Sequence, residues 1–352
     1  MVRGILLLLL LLCSVFTRSR ILLGITLIFF FFILPLFYVK TRNDKNARKG
    51  LNELKDEEER RRKETERSKQ FERCCKSAEQ GDATAQDLLG VMYEVGGGVT
   101  QDDVAAVEWY RKSAEQGYAT AQFLLGAMYA DGRGVAQDDV MAVEWFRKSA
   151  EQGYASAQYS LGWMYDNGRG VAKDEATAAE WYRKSAEQGF ALAQRVLGAM
   201  YAVGRGVAQD DVTAVEWYRK SAEQGDAIAQ YYLGAMYADG RGVAQDETVA
   251  VELFRKSAAQ GDDCAQYNLG VAYMNGRGVT KDEAVAVEWF RKSAEQGNAS
   301  AQYNLGVAYM NGYGVAKDES AAVEWYRKSA EQGDATAQRV LGAMYADGRG
   351  VA

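Results

Sequence analysis

The sequence predicts an all-α solenoid, a stack of two-helix units joined by short turns. Three observations predict it. Glycine returns at a fixed 36-residue step, at Gly81, Gly117, Gly153, Gly189, Gly225, Gly261, Gly297 and Gly333. A second glycine keeps the same step from Gly90 to Gly342. Each step also holds two stretches whose apolar residues recur at three- and four-residue spacing, the mark of one helical face. A single unit cannot bury such faces, so copies in register stack and share a core.

Before the array come three other stretches. Residues 1–20 form a short hydrophobic leader, led by a run of leucines after Arg3. It is too short to span a bilayer and resembles the apolar region of a signal peptide, although no A-x-A cleavage pattern follows. Residues 21–39 are apolar throughout and contain Pro35, the only proline in the chain. As a helix the stretch is ~28 Å long, so a transmembrane helix is expected there, and proline is tolerated in such helices. Lys40, Arg42, Lys45, Arg48 and Lys49 follow it, against Arg18 and Arg20 just before it. That excess places the C-terminal side in the cytosol. Residues 40–70 read as a charged juxtamembrane helical spacer. Glu57, Glu58 and Glu59 precede Arg60, Arg61 and Arg62 by three or four residues, which supports a solvated helix without a core.

The array is expected over residues 71–352. Residues 71–80 align with the second helix of a unit, with Cys74 where later units have Tyr110 or Phe146. Residues 117–152 show a full unit. Ala121, Leu125, Met128 and Tyr129 line one face of its first helix. Asp131-Gly132-Arg133-Gly134 ends that helix, with Gly132 at a left-handed position where a Cβ clashes. Asp138 caps the second helix. Val143, Phe146 and Ala150 make its buried stripe, and Glu144 is spaced to pair with Lys148. Gly126 sits inside the first helix at a cost of ~1 kcal/mol against alanine. Its return in each unit predicts close approach of the neighbouring helix backbone. The last unit ends at Ala352 with its first helix only, which predicts a chain cut short.

These residues carry a resemblance. The pattern A-x-x-x-L-G-x-x-Y-x-x-G-x-G-V, then Asp, then W-Y-x-K and A-E-Q-G, is similar to the Sel1-like repeat. Tetratricopeptide units step by ~34 residues and carry a proline near the end; these units do neither. The resemblance implies a right-handed α-solenoid used as an adaptor or scaffold, with no catalytic residues. Family members also work in the endoplasmic reticulum lumen, in the periplasm or outside the cell. Some secreted members carry a disulfide in each repeat, which this chain lacks.

Several chemistries find no support. Histidine is absent, which removes Ser-His-Asp and Cys-His pairs and imidazole metal ligands. Cys13, Cys74, Cys75 and Cys264 form no C-x-x-C. Paired acids such as Asp102-Asp103, Asp138-Asp139 and Asp210-Asp211 stand directly before a helix in each unit, and capping accounts for both members. Trp109, Trp145, Trp181, Trp217, Trp289 and Trp325 share one register, with Leu253 replacing the residue once, as packing allows. A net charge of −6 and a pI near 5.1 argue against nucleic acid. No cofactor, metal or small-molecule substrate is expected.

What varies between units points to a binding face. Positions equivalent to 123, 127 and 130 lie opposite the core stripe of the first helix. They hold Phe123; Tyr159 and Trp163; Arg195; Tyr231; Tyr267, Val271 and Met274; Tyr303, Val307 and Met310; and Arg339. Outward aromatic rings and arginines flanked by small residues suit a peptide-binding groove. The expectation is a membrane-anchored adaptor that binds a protein or peptide through the concave face of the solenoid. Alternatives are a non-catalytic part of an enzyme whose catalytic domain lies beyond residue 352, and a secreted repeat protein.

Overall fold

The computed structural model describes residues 34–350, with side chains at 56–63 and 65–350. Among these residues there are sixteen helices and no strand. Helix α1 is Leu34–Glu79, α2 Ala83–Val95, α3 Asp103–Glu115, α4 Ala119–Asp131, α5 Asp139–Glu151, α6 Ala155–Asn167, α7 Glu175–Glu187 and α8 Ala191–Val203. Then come α9 Asp211–Glu223, α10 Ala227–Asp239, α11 Glu247–Ala259, α12 Asp263–Asn275, α13 Glu283–Glu295, α14 Ala299–Asn311, α15 Glu319–Glu331 and α16 Ala335–Ala346. From α2 on, even helices are the first of a unit and odd helices the second.

The expected leader and residues 21–33 of the expected span lie outside the described residues. Among the described residues, no helix is long and apolar enough to cross a membrane. The chain divides into two compact units, Met1–Arg73 with Gly96–Thr100, and Cys74–Val95 with Gln101–Ala352. In the first, the charged part of α1 is exposed. Glu57 accepts from Arg61, and Glu59 pairs with Lys63, both at 2.7 Å and four residues apart.

The second unit holds the stacked helix pairs. Asp138 has extended backbone and its carboxylate accepts from the Val140 and Met141 amides, which starts α5. The same cap starts α3, α7, α9, α11 and α13. Gly132 ends α4 at φ 68°, where its amide returns to the Met128 carbonyl. Ala121, Leu125 and Met128 meet Val143, Phe146 and Ala150, all buried, as their spacing requires.

Two polar ladders bind the pairs together. Ser149 Oγ, near the end of α5, donates to the Ala119 carbonyl at the start of α4 at 2.7 Å. Gln122 Nε2 donates to the Ala114 carbonyl of the preceding unit at 3.0 Å, and Gln122 Oε1 accepts from Gln152 at 2.7 Å. Both ends of that buried amide are satisfied, so its burial carries no orphan group. Equivalent glutamines continue to Gln302 and Gln332. Unit-to-unit bonds also run from Arg111 to the Tyr129 hydroxyl at 2.9 Å, and onward from each second helix to the next first helix.

Three expectations are corrected. Gly126 makes room chiefly for a side chain. A Cβ there falls 2.8 Å from the Phe146 ring, and the Ala142 carbonyl is the backbone atom near it, at 3.2 Å. Capping accounts for only the first acid of each pair. Asp139 instead takes Arg169 from the next unit's loop, and Asp103 takes Arg133. Lys148 lies over the Trp145 ring at 3.9 Å, and no Glu144–Lys148 ion pair forms among the described residues. Three residues on, the indole face is nearer than the carboxylate and attracts the ammonium.

Candidate functional site

The varied positions of the first helices are less open than their sequence register suggests. Phe123 is half-buried, and its ring rests on Phe146 at 5.8 Å and Tyr154 at 5.4 Å between centroids. Tyr159 rests on Tyr182 at 5.5 Å, Tyr231 on Phe254 at 6.1 Å, Tyr267 on Phe290 at 6.0 Å and Tyr303 on Tyr326 at 5.6 Å. The expectation that these rings stand clear of the core is therefore corrected. Position 123 lies one helical turn from Gly126, so its ring meets the same second-helix ring that fills the space beside the glycine. Each varied aromatic is a lid over a buried one.

The other candidates divide. Val271 and Met274 pack with Tyr267 at the edge of the cluster around Phe290, and Val307 and Met310 with Tyr303 at the edge around Tyr326. Arg195 is held by Asp226 at 3.2 Å, so it is not free for a ligand's acid. Arg339 is exposed on α16. Trp163 is the most open of these candidate rings at 37 % exposure, with the Arg169 guanidinium 5.3 Å from its centre.

Three clefts open between successive first helices. The one between α4 and α6 measures about 320 Å³ and brings together Phe123, Tyr159 and Trp163, with Ala127, Ala130, Asp131 and Arg169. Another of about 190 Å³ lies between α8 and α10, over Ala199, Ala202, Tyr232 and Ala235. A cleft of about 410 Å³ beside α10, α11 and α12 includes Val271 with Asp239, Glu247, Asn268 and Arg277. Arg195, Tyr231, Tyr267, Met274, Tyr303, Val307, Met310 and Arg339 line none of these three. Sequence reasoning missed Asp131, Arg169, Asp239 and Arg277. Asp131 and Asp239 end their first helices and Arg169 and Arg277 lie in the turns that follow, a stretch read in sequence only as the helix stop.

Charge on this face is uneven. Asp87 stands on α2 in the register of Phe123, is 9 % exposed, and its Oδ1 has no hydrogen-bond partner. Burial raises its carboxyl to about 6. Asp166 on α6 is equally buried. Its Oδ1 makes no hydrogen bond, though Arg205 Nη1 lies 3.1 Å away as an ion-pair partner. Glu94 accepts from the Tyr110 hydroxyl at 2.6 Å and from Arg133 at 2.7 Å. Burial, then that bond to Glu94, pushes the Tyr110 phenol well up. Among the described residues, no group of three or more Cys, Asp or Glu is placed to hold a metal ion.

The family model of the Sel1 repeat matches eight consecutive segments, 83–118, 119–154, 155–190, 191–226, 227–262, 265–298, 299–334 and 335–352. No curated protein matches the chain. A solved protective antigen present in uropathogenic Escherichia coli strains, displaying the same repeat fold, is 48% identical with a TM-score of 0.74. That alignment covers 77% of this chain and 58% of the antigen, so the chain spans little more than half of that protein's length. A Sel1 repeat protein from Oxalobacter formigenes is 36% identical with a TM-score of 0.62, covering 78% of this chain and 79% of that one. Proteins built of this repeat are in general protein-interaction scaffolds and typically non-catalytic.

Proposed function

Because the chain belongs to the Sel1 repeat family, we propose that it is a non-catalytic adaptor whose first-helix face holds a protein or peptide partner. The cleft between α4 and α6 carries this reading. Four rings line it, from Phe123, Phe146, Tyr159 and Trp163, and Trp163 is 37 % exposed to solvent. Open aromatic anchors in small clefts are what interfaces use to concentrate binding energy. The small floor residues Ala127 and Ala130 leave room for an inserted side chain. The apolar stretch 21–39 is the tether in this reading, with the solenoid on the cytosolic side; protease protection of sealed vesicles tests that placement.

The binding reading is tested by capture with the full chain from cells that express it. Trp163→Ala is expected to lose the captured partner by about 2 kcal/mol, roughly thirtyfold in Kd. Lys292→Ala, on the second helix α13, should retain it. Equal capture by wild type and Trp163→Ala removes this cleft as the site. Trp163 is a better probe than Tyr267 or Tyr303, whose rings also cover the core.

A further inference from the structure

We propose that the N-terminal part of this face, from α2 to α6, selects a partner segment carrying lysine or arginine beside an apolar residue. The inference rests on the adaptor reading above and names the chemistry of its partner. It starts from the three varied positions of each first helix. In α12 and α14 they hold Tyr, Val and Met, without a charge. In α2 they hold Asp87, Val91 and Glu94, and in α6 Tyr159, Trp163 and Asp166. Carboxylates are confined to one end of the row.

Asp87 is the telling residue. Five units place an aromatic ring at its position, where it packs on the second-helix ring. Asp87 does not fill that role, and its buried Oδ1 lacks any partner. A buried carboxylate without a partner is costly, and a cation from outside removes the cost. Arg169 lies in the cleft of the next unit, over Trp163 and near Asp131, and among the described residues no arginine around it is bonded to Asp87. Arg133 is bound to Glu94 and Asp103, Arg169 to Asp139, and Arg205 to Asp166. One unit further on, Asp131 lines the cleft of Phe123, Tyr159 and Trp163 and is exposed. With Arg169 over Trp163, the Phe123 and Tyr159 rings are the ones left for a partner's basic side chain, whose stem covers them while its charged end meets an acid. A neighbouring apolar side chain fits the remaining cleft over Ala127 and Ala130.

The test is selection of a phage-displayed random peptide library on the full chain. Peptides retained by the wild type should be enriched several-fold in lysine or arginine over the input. A selected peptide should bind the Asp87→Asn, Asp131→Asn variant at least tenfold more weakly, and added sodium chloride should weaken its binding to wild type. Both replacements keep side-chain size, and helix content by circular dichroism checks the fold. Changing the peptide's basic residue to glutamate gives the same readout without altering the protein, and it should abolish binding. Selected peptides without basic enrichment, or unchanged affinity in both comparisons, overturn the proposal and leave the adaptor reading standing. A library from which wild type retains nothing while Trp163→Ala also loses no cellular partner overturns the adaptor reading itself.

Discussion

Arg169 grips Asp139 across a unit boundary with two parallel hydrogen bonds, Nε to Oδ2 at 3.0 Å and Nη2 to Oδ1 at 2.5 Å. Asp139 is the first residue of α5 and Arg169 belongs to the loop after α6, thirty residues on. The pair therefore fastens the start of one second helix to the following unit. Arg241 and Asp211 repeat it. Both partners are about a third exposed, so solvent screening limits the gain to ~1 kcal/mol even with the forked geometry. Asp139→Asn should lower the unfolding free energy by that amount. Arg169→Lys should not restore it, because an ammonium cannot make both bonds. A double-mutant cycle by urea denaturation measures the coupling, and a value of zero refutes it.

Helical glycines should divide by their surroundings. A Cβ at Gly198 falls 3.0 Å from the Tyr218 ring, whereas one at Gly342 on α16 meets nothing within 4 Å. Gly198→Leu should destabilise by ~1–3 kcal/mol through overpacking. Gly342→Ala should stabilise by up to ~1 kcal/mol, since only the helix propensity changes. Thermal melts of the two variants should move in opposite directions. A shift of the same sign in both contradicts the packing account.

Asp87 makes stability depend on pH. Its carboxyl titrates near 6 in the folded chain because burial disfavours the charge, against ~4 when unfolded. Its folded value is raised, so the folded state holds the proton more tightly. Stability from this group is greatest below pH ~4, falls as pH rises toward 6, and is flat above. The loss is on the order of 2 kcal/mol. Tyr110 lies close enough to Asp87 to feel its charge, and the Tyr110 phenol is pushed up out of this window. Asp87→Asn should flatten the slope between pH 4 and 6, and Asp87→Phe should raise the midpoint by restoring the ring pair of the other units. Urea denaturation across this range reads both; an unchanged slope in Asp87→Asn shows that the group does not titrate there.

Serines at the ends of second helices should also separate. Ser221 Oγ donates to the Ala191 carbonyl at 2.9 Å. Ser257 occupies the same register in α11, is fully buried, and its Oγ has no partner. Ser221→Ala should cost about 1 kcal/mol, because a part-buried carbonyl loses the hydroxyl donor that ties the two helices. Ser257→Ala should be neutral or stabilising, since it removes a buried hydroxyl that bonds to nothing. Equal destabilisation by the two in denaturant melts refutes the difference.

The topology of the helix pairs was legible before any coordinates. Asp138 as a cap and Gly132 as a left-handed stop follow from contacts within a few residues, the Leu125–Phe146 core follows from the apolar stripes of two successive helices, and a 36-residue period repeats them. Short-range geometry of one chain segment decides such features, so the order of residues suffices. The sequence also placed Phe123, Tyr159, Tyr231, Tyr267 and Tyr303 in one register, which the fold keeps. What stacking decided lies between segments 18, 30 and 39 residues apart. It leaned each of those rings onto a second-helix aromatic, gave Asp139 to Arg169, and gave Arg195 to Asp226. It also left Asp87 without a donor and Trp163 at the mouth of a cleft. Those outcomes depend on the angle and offset at which one helix pair meets the next. That geometry is set by the fit of whole side-chain surfaces, and no local spacing rule encodes it.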